Sequence, residues 1–400
     1  MKKTIAVGQK NGDIVGNDDV AIQSAIDYLS YVGGGTVTVA EGTYLINTSV
    51  RLRPNIDLAG APGKTVFYKC ANVVSVLATD GDANERQLTL ANPDGFEPGH
   101  TVIVRFAGQS QGFLETTALI TAKEGNVVKI DCGLINDYCI KNNAVAERNF
   151  PVVAAYNSEN NRISGITVDG NRDNNTLIGG CRSAGIFFFE SKHMTVENCT
   201  VKNYNGDGIS YQVCGDVTVT DGAFYNNAGL GVHPGSGTTV TRVTNCKVYG
   251  NGQDGVFVCW RVTGGVIENC DVYENAKNGL SIGHKDTHNV IRNNRFYNNG
   301  RCGMLFREET EPMGANFNTV ENNVISDNGS DEYAKHNGGY SYVGIRVCGC
   351  TRGVKFIGNS ISYKTAPAGG AVGILVEKGA YENVFDANTF VNCEKEIIKR

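Results

Sequence analysis

Short apolar runs separated by polar turns recur along most of the chain, and from about residue 161 they become periodic. A glycine followed by an aliphatic residue opens one run in each repeat, and most successive pairs lie about 24 residues apart. Such a period indicates a repeat protein, whose core lengthens by adding layers. The pairs are Gly185-Ile186, Gly208-Ile209, Gly229-Leu230, Gly255-Val256, Gly279-Leu280, Gly303-Met304, Gly344-Ile345 and Gly373-Ile374.

A second column, in phase with the first, is rich in asparagine, and an apolar residue follows each member two positions later. A period of about 24 residues is too short for two packed helices, and the alternation of apolar and polar positions favours strands. The repeat therefore predicts one coil of a β-solenoid, with equivalent residues stacked about 4.8 Å apart. The members are Asn198-Cys199, Asp221-Gly222, Asn245-Cys246, Asn269-Cys270, Asn293-Asn294, Asn322-Asn323, Gly358-Asn359 and Ala387-Asn388.

The asparagines and cysteines of this second column are predicted to be structural. Stacked asparagines can hydrogen-bond to the asparagines above and below, which would satisfy polar groups inside a tight turn. Cys199, Cys246 and Cys270 fit the same turn as small apolar residues. We therefore assign no chemistry to this column.

The beginning of the chain predicts a cap for one end of the solenoid. Residues 17–27 place cap-forming side chains before apolar positions at helical spacing, which predicts one short amphipathic helix. Segments with a strand-like composition follow at 33–39, 42–46 and 55–60. A helix over the open end of a stack of strands protects the first layer from pairing with other chains.

Residues 84–150 have a different texture from the repeats. Apolar segments at 87–90, 101–104 and 127–130 are separated by irregular polar turns, which predicts a small antiparallel β insertion. We therefore predict an all-β chain that forms one parallel β-helix domain over residues 1–400, with an N-terminal capping helix and this insertion.

These features resemble the pectate-lyase-like superfamily. The resemblance rests on residues 18–26 (DDVAIQSAI), residues 33–37 (GGGTV), residues 42–44 (GTY) and the asparagine-rich coils, so it covers nearly the whole chain. It implies a right-handed parallel β-helix and a carbohydrate-active protein. It is specific for the fold only, because lyases, hydrolases, epimerases and phage tailspikes share this scaffold.

Composition narrows the possible partners. The formal net charge is −5 and the pI is about 5.8, so the chain has no broad basic field and duplex nucleic acid is excluded as the expected partner. No window reaches the roughly 18 apolar residues that a membrane-spanning helix needs. We expect a carbohydrate polymer or oligosaccharide as the partner, and the sequence leaves the oligomeric state open.

Thirteen cysteines are many, but their number is odd and several recur at the spacing of the repeat. Buried thiols in a reducing compartment explain this pattern better than a disulfide framework. No export signal is visible at the start of the sequence, so a cytoplasmic location is favoured. An extracellular location is the alternative if a signal segment has been removed.

Outward-facing residues of the middle coils supply the candidate chemistry. The residue after each inward apolar residue points outward, so the outward columns can be derived from the sequence. We place His233 in the same outward column as Arg307, which predicts a strip across four coils, roughly 15 Å long, that suits a row of sugar subsites. Trp260, the only tryptophan, is expected to stack on a sugar. The strip contains His233, Trp260, His284, Lys285, Asp286, Arg307, Glu308 and Glu309.

Gln212, Asp207 and Arg346 extend the predicted substrate-binding set. Polygalacturonase-like hydrolases carry an Asn-x-Asp-Gly-Ile stretch, which residues 205–209 resemble, and an Arg-x-Lys, of which Arg346 matches the arginine. The paired acids and the histidine between these elements are missing, and Cys348 replaces the lysine. Asp207 is therefore equally well explained as a turn residue before a glycine.

The candidate catalytic residues are compatible with several reactions. Proton abstraction beside a uronate carboxylate, as in lyases and C5 epimerases, needs a base and a neutralising cation. His233 or His284 would be the base, and Lys285 and Arg307 the cations. An inverting hydrolase needs two carboxyl groups about 6.5 to 9.5 Å apart, a role open to Asp286 and Glu308.

We therefore favour β-elimination of an acidic polysaccharide over hydrolysis, with C5 epimerisation as a further alternative. A solenoid that binds glycans without catalysis is the last alternative.

Two loops that exceed the compact period, 308–315 and 327–342, are expected to form the wall of the groove. Residues 169–175 form another excursion, rich in carboxylates and amides. Calcium is the only cofactor that this segment leaves open, although its spacing matches no firm cation motif and a solvated turn is the preferred interpretation.

Overall fold

The chain winds into coils that each contribute one strand to three parallel sheets, called here face A, face B and face C. A computed structural model describes residues 3–110, 112, 114–365, 367 and 370–400. Each coil passes from face A to face B to face C, and every strand pairs in parallel with its equivalents in the neighbouring coils. This is the predicted parallel β-helix.

Each face consists of short strands, one from each coil that it crosses. Face A contains Thr4–Gly8, Ile14–Val15, Gly35–Val39, Ile56–Ala59, Glu159–Ser164, Lys192–Glu197, Gly215–Thr220, Thr239–Thr244, Val266–Glu268, Val290–Arg292, Thr319–Glu321, Lys355–Ile357 and Val384–Asp386. Face B contains Gly42–Ile46, Thr65–Lys69, Ile166–Asp169, Thr200–Lys202, Ala223–Tyr225, Lys247–Tyr249, Asp271–Tyr273, Arg295–Tyr297, Val324–Ser326, Ser360–Ser362 and Thr389–Val391. Face C contains Val50–Arg51, Val153–Tyr156, Ala184–Phe189, Asp207–Gln212, Val232–Gly235, Val256–Val258, Leu280–Ile282, Cys302–Phe306, Tyr342–Val347, Ala371–Val376 and Lys395–Lys399.

The core is the inside of the solenoid, filled by aliphatic and aromatic side chains from all three faces. On face C the register aligns Ile209 with Val232, Val232 with Val256, and Val256 with Leu280. Each of these side chains is fully buried. Stacking like on like in this way fills the interior layer by layer, which explains why the apolar positions of the sequence repeat.

The two residues of the asparagine-rich column have different roles. The first residue of each pair has a left-handed backbone, with φ of 55° at Asn245, 55° at Asn269 and 56° at Asn293, a conformation that asparagine accepts more readily than most residues. The second residue is buried in most pairs, and where it is asparagine it bonds to the next coil: Asn294 Nδ2 donates to Asn323 Oδ1 at 3.0 Å. Cys270 occupies the same position one coil earlier. The structural interpretation of this column is confirmed.

A further asparagine ladder, not predicted from the sequence, lies in the turn between faces B and C. Asn251 Nδ2 donates to Asn275 Oδ1 at 2.9 Å, and Asn275 Nδ2 donates to Asn299 Oδ1 at 3.0 Å. Asn275 Oδ1 also accepts from the backbone N–H of Asn251, and Asn275 Nδ2 donates to the carbonyl of Val248. Each asparagine thus satisfies polar groups of two coils.

The predicted N-terminal helix is present and spans Asp19–Tyr31. Asp18 caps it by accepting a hydrogen bond from the N–H of Ala21 at 3.2 Å. Ile22 and Ile26 on its apolar side are fully buried against the first coils. The helix therefore closes the N-terminal end of the core, as the sequence predicted.

A six-stranded antiparallel sheet forms the insertion. Its strands are Val74–Val76, Gln87–Thr89, Thr101–Phe106, Thr116–Glu124, Val127–Ile130 and Ala144–Glu147, so it begins earlier than the predicted 84. The sheet has its own apolar core and is interrupted by a short 3-10 helix, Ile140–Asn142. Two further 3-10 helices, Arg172–Asn174 and Asp331–Asn337, lie in connections of the solenoid.

All thirteen cysteines are unpaired thiols, as the sequence analysis expected. Within the described residues, no helix is long and apolar enough to cross a membrane.

Asn275→Ala is expected to destabilise the solenoid. It leaves the amide groups of Asn251 and the carbonyl of Val248 without their partner inside the turn, and each buried group left unsatisfied costs about 1–3 kcal/mol. We expect the free energy of unfolding to fall by about 2–4 kcal/mol in urea denaturation. Lys247→Ala, at an exposed position of face B, is the control and should change it by less than about 0.5 kcal/mol.

Candidate active site

The candidate site lies on the outer surface of face C, in the middle coils. The insertion and the segment 169–183 cover the earlier coils of this face, and the segment 331–342 packs over later ones, where His336 O accepts a hydrogen bond from Arg301. The strands between them, Val232–Gly235 and Val256–Val258, form the floor of the groove that remains.

A buried carboxylate–imidazole pair forms the first part of the site. Asp207 Oδ2 lies 2.8 Å from His233 Nδ1, and both side chains are only 5% exposed. Asp207 Oδ1 accepts a hydrogen bond from the N–H of Leu230 at 2.8 Å. Asp207 is the first residue of the strand Asp207–Gln212, so the turn interpretation is wrong, and it is the partner of a histidine from the next coil.

Asp207 fixes which nitrogen of His233 faces a substrate. A carboxylate can only accept, so the neutral ring carries its proton on Nδ1 and leaves the lone pair of Nε2 available. Both residues line a pocket of about 250 Å³, together with Phe257, Gln253 and residues 177–181. His233 is thus oriented by a carboxylate and presented to a cavity, which is the arrangement of a general base.

The pocket wall formed by residues 177–181 is fastened to the insertion. Arg105 Nη1 donates to the carbonyl of Leu177 at 2.6 Å. The same guanidinium pairs with Glu147 at 2.6 Å and Glu115 at 3.3 Å, and these side chains are at most 4% exposed. Breaking such a buried ion pair is strongly destabilising, so the wall is held by a rigid network.

A buried lysine supports the same wall from inside the solenoid. Lys69 Nζ donates to Asn149 Oδ1 at 2.6 Å and to Asn205 Oδ1 at 2.8 Å. The amides of both asparagines donate to the carbonyl of Thr176, which precedes the wall. Burial lowers the pKa of Lys69 well below its usual value. Because Asn205 lies two residues before Asp207, this network also fixes the strand that carries the carboxylate of the pair.

Phe257 joins the two halves of the site. Its ring and that of His233 are nearly perpendicular, with centroids 5.3 Å apart, and the guanidinium carbon of Arg307 lies 4.3 Å from the Phe257 centroid. Arg307 is held by Ser281 Oγ at 2.9 Å, the carbonyl of Val258 at 2.7 Å and Asp286 at 3.3 Å. The charge of Arg307 is therefore brought close to His233 although their strands are several coils apart.

The second half of the site is a chain of three side chains beside Trp260. Cys259 Sγ lies 3.1 Å from His284 Nδ1, and His284 Nε2 lies 2.7 Å from Glu309 Oε1. The rings of Trp260 and His284 are 5.4 Å apart, and Trp260 is 39% exposed, so its indole remains accessible to a ligand. Both nitrogens of His284 are thus engaged within the protein.

The protonation states depend on burial and on Arg307. Burial and the charge of Arg307 lower the pKa of His284 to about 4, so its ring is neutral near pH 7. Burial raises the pKa of Asp286 to about 6, although Arg307 opposes the shift. Burial also raises the pKa of Glu309 and of the Cys259 thiol. The second half is therefore a neutral imidazole between a thiol and a carboxyl group.

The predicted outward column of His233 is wrong by two residues. This repeat contains two glycine–aliphatic pairs, and Val232 of the second pair aligns with Ile209, whereas the prediction used Leu230. His233 therefore lies level with Ser210, in the column of Phe257, and not in the column of Arg307.

The remaining predicted residues are spread around the groove. Lys285 and Glu308 are exposed and have no contact with this group in the part of the chain that the structure describes. Gln212 is 2% exposed and donates to Ser210 Oγ, so it lies under the surface. Arg346 pairs with Glu377 at 3.1 Å and donates to the carbonyl of His336, away from His233. Only Asp207, His233, Trp260, His284, Asp286, Arg307 and Glu309 come together.

Sequence reasoning missed Phe257 and Cys259, which connect these groups. Both occupied outward columns in the sequence, and this was the available signal. Neither residue type by itself indicates a site, because outward phenylalanine and cysteine on a β-helix are usually covered by loops. Arg307 and His284 reach across neighbouring coils, which places a guanidinium on the Phe257 ring and an imidazole beside the Cys259 sulfur.

The amides of the 169–175 excursion are used within the protein. Asn171 Nδ2 donates to the carbonyl of Lys69 at 3.1 Å, and Asn175 Nδ2 donates to that of Cys70 at 3.0 Å. No cluster of three or more His, Cys, Asp or Glu suited to a metal ion occurs among the residues that the structure describes. A solvated turn stays the preferred interpretation of this segment, with calcium binding as its alternative.

A parallel β-helix with a lateral groove is the class of protein that fold and site define. Residues 117–264, 184–361 and 236–399 match the family described as right handed beta helix region. Because these overlapping matches cover more than half of the chain, it belongs to this family of right-handed β-helix proteins. No curated protein matches the sequence.

Solved structures share the fold at low sequence identity. The A-module of a mannuronan C-5 epimerase of Azotobacter vinelandii is 19% identical, with a TM-score of 0.60 over 95% of this chain and 91% of that one. A second such A-module from the same organism is 18% identical, with a TM-score of 0.59 over 98% and 97%. The Dettilon tailspike protein is 14% identical, with a TM-score of 0.56 over 93% and 64%. At these identities the similarity shows the fold.

His284 is expected to make stability depend on pH. Its folded pKa of about 4 lies below the unfolded value of about 6.5. The stability that this neutral ring contributes is present above pH 6.5 and is lost as the pH falls towards 4, because only the unfolded chain takes up the proton. His284→Asn should therefore lower the melting temperature more at pH 7 than at pH 4.5. Equal destabilisation at both values would contradict the neutral ring.

Two features of this comparison make it specific. His193→Asn is the reference for removing a histidine, since both residues have a left-handed backbone, with φ of 50° at His284 and 55° at His193, that asparagine accepts. The pH dependence of stability that Asp286 causes has the opposite sign. Its contribution to folding stability is present below pH 3.8 and is lost as the pH rises through 6. The comparison of wild type with variant at each pH cancels this second contribution.

Proposed function

We propose that this protein is a carbohydrate-active enzyme that acts on a uronate-containing poly- or oligosaccharide by removing the proton at C5 of a uronate residue. The observation that carries the proposal is the buried Asp207–His233 pair, which presents His233 to a pocket on the floor of the groove. β-Elimination is the first of two possible outcomes, and C5 epimerisation is the second.

His233 is the base of this reaction. Asp207 holds the proton of the ring on Nδ1, so Nε2 can take the C5 proton, and the imidazolium that forms is stabilised by the carboxylate. The electron pair left at C5 spreads into the uronate carboxyl group. A nearby positive charge must stabilise this developing enolate.

Arg307 supplies that charge in a fixed position. Its two Nη atoms are bonded to Ser281, Val258 and Asp286, which makes a bidentate grip on the substrate unfavourable. Its Nε is buried and has no hydrogen-bond partner among the described residues. A preorganised cation of this kind lowers the barrier without moving during the reaction. Trp260 offers a stacking surface for a neighbouring sugar.

The contacts of the buried carboxylates Asp207 and Asp286 make hydrolysis a less suitable reaction for this site. A hydrolase needs two carboxyl groups with accessible oxygens, one on each side of the scissile bond. Asp207 is occupied by His233 and by the N–H of Leu230. Asp286 is fully buried and accepts from the N–H groups of Val262 and Gly283. Neither carboxylate is placed to protonate a leaving group or to activate water.

Epimerisation stays the second candidate for a specific reason. Two proteins that share the fold over more than nine-tenths of both chains are mannuronan C-5 epimerases. Epimerisation and β-elimination begin with the same loss of the C5 proton, so His233 and Arg307 serve both. The two reactions differ in their second step: elimination breaks the C4–O4 bond, and epimerisation returns a proton to the other face of C5.

Asp207→Asn and His233→Ala should each lower kcat by about 10²–10⁴-fold. The asparagine amide would donate to Nδ1 and force the proton onto Nε2, which removes the base without removing the ring. Turnover of acidic glycans is measured together with the melting temperature. His288→Asn, at an exposed histidine in a turn, is the control and should retain full activity. Wild-type turnover in either test variant would exclude the pair from catalysis.

The product distinguishes the remaining alternatives. Incubation with a panel of acidic and neutral glycans should produce ultraviolet absorbance from the conjugated double bond of β-elimination. Epimerisation instead incorporates deuterium at C5 from deuterated water without absorbance. Release of reducing ends without absorbance would indicate a hydrolase, and binding without any of these changes would indicate a glycan-binding solenoid.

A further inference from the structure

The chain Cys259–His284–Glu309 has no role in the abstraction of the C5 proton by His233. Its contacts are short and consecutive: 3.1 Å from the Cys259 sulfur to His284 Nδ1, then 2.7 Å from Nε2 to Glu309 Oε1. A neutral imidazole can donate its Nε2–H to Glu309 and accept the S–H of Cys259 at Nδ1. The thiol is thus oriented by a histidine that is itself oriented by a carboxyl group.

Other cysteines of the solenoid have a different environment. The sulfurs of Cys246 and Cys270 lie in the turn between faces A and B, where they contact backbone groups of their own and neighbouring coils and each other. Cys259 instead projects outward from the end of a face C strand and keeps 9% exposure at the groove. Its hydrogen-bond partner is the titratable side chain of His284, which packing alone does not require.

Cys259 is also close to the base. It pairs with Gly235 in the neighbouring coil, two residues beyond His233. With a strand spacing of about 4.8 Å and a rise of about 3.3 Å per residue, the Cα atoms of Cys259 and His233 lie about 8 Å apart. Phe257 contacts His233, and the Arg307 guanidinium lies against the Phe257 ring and donates to the carbonyl of Val258, the residue before Cys259. A sugar ring bound at this part of face C would therefore lie within reach of both His233 and Cys259.

We propose that Cys259 is the proton donor of the reaction that His233 begins, with His284 and Glu309 as its positioning residues. The proposal rests on the proposed function and adds its second proton transfer. In β-elimination the acceptor is the glycosidic O4 that leaves C4. In epimerisation the acceptor is C5.

The proton and electron balance of the elimination closes without a further reactant. His233 Nε2 takes the C5 proton, the C4–C5 double bond forms, and the C4–O4 bond breaks as O4 takes the proton of the Cys259 S–H. The resulting thiolate lies beside Arg307 and regains a proton from the His233 imidazolium through solvent. A thiol whose pKa is raised by burial stays protonated until a strongly basic oxygen develops, which suits an alkoxide leaving group.

Deuterated water separates the two proton transfers. Cys259→Ala should still exchange the C5 proton of intact uronate substrate for deuterium, at a rate within about threefold of proton abstraction by the wild-type enzyme. The variant should form product at least about 100-fold more slowly than the wild-type enzyme. Exchange without product is a result that a merely structural role for Cys259 would not give.

Two further variants complete the test. Cys259→Ser keeps a donor of similar size and should recover part of the product rate, which also covers the case in which alanine impairs folding. Cys348→Ala, at a buried cysteine of the same outward column, should leave both rates unchanged. Product formation at the wild-type rate in Cys259→Ala would overturn the role of Cys259. Absence of both exchange and product in the wild-type enzyme would instead overturn the proposed function.

Discussion

Parallel hydrogen bonding between successive coils is the constraint on which the rest of the structure depends. Each strand of face C bonds to its equivalents in the coils before and after it, so residues about 24 positions apart become neighbours. The asparagine ladders extend this pairing through the turns, where strands alone would leave amides and carbonyls unsatisfied. The groove inherits its geometry from this stacking, because its floor is one of the three sheets.

Much of the fold was predictable because the same physical requirements recur in every coil. A buried aliphatic side chain, a left-handed turn residue and a buried amide are needed once per layer, so they leave a periodic signal around Ile209, Asn269 and Asn294. The helix Asp19–Tyr31 was predictable for a different reason, since its cap and apolar spacing are local. The insertion lacks a repeat, and its first strand was therefore missed.

The site was less predictable because its contacts depend on side-chain reach and on one ambiguous turn. Two glycine–aliphatic pairs in succession allowed two registers for His233, and nothing local distinguishes them. Arg307 spans two coils to lie on Phe257, and Asp207 joins a histidine of the next coil. The pocket wall comes from residues 177–181, held by Arg105 of the insertion. Sequence spacing contains none of these distances.

The contribution of separate coils to the groove has a consequence for how such a site can change. His233, Phe257, Ser281 and Arg307 each belong to a different coil, so adding or removing one whole coil would alter their separation in a discrete jump of about 4.8 Å. Additional residues within a coil have no such effect: Asn289 and Asn318 are 29 positions apart yet bond as direct neighbours. Changes in loop length therefore alter the edge of the groove one residue at a time. The spacing of the reactive groups along the solenoid axis can change only by whole coils.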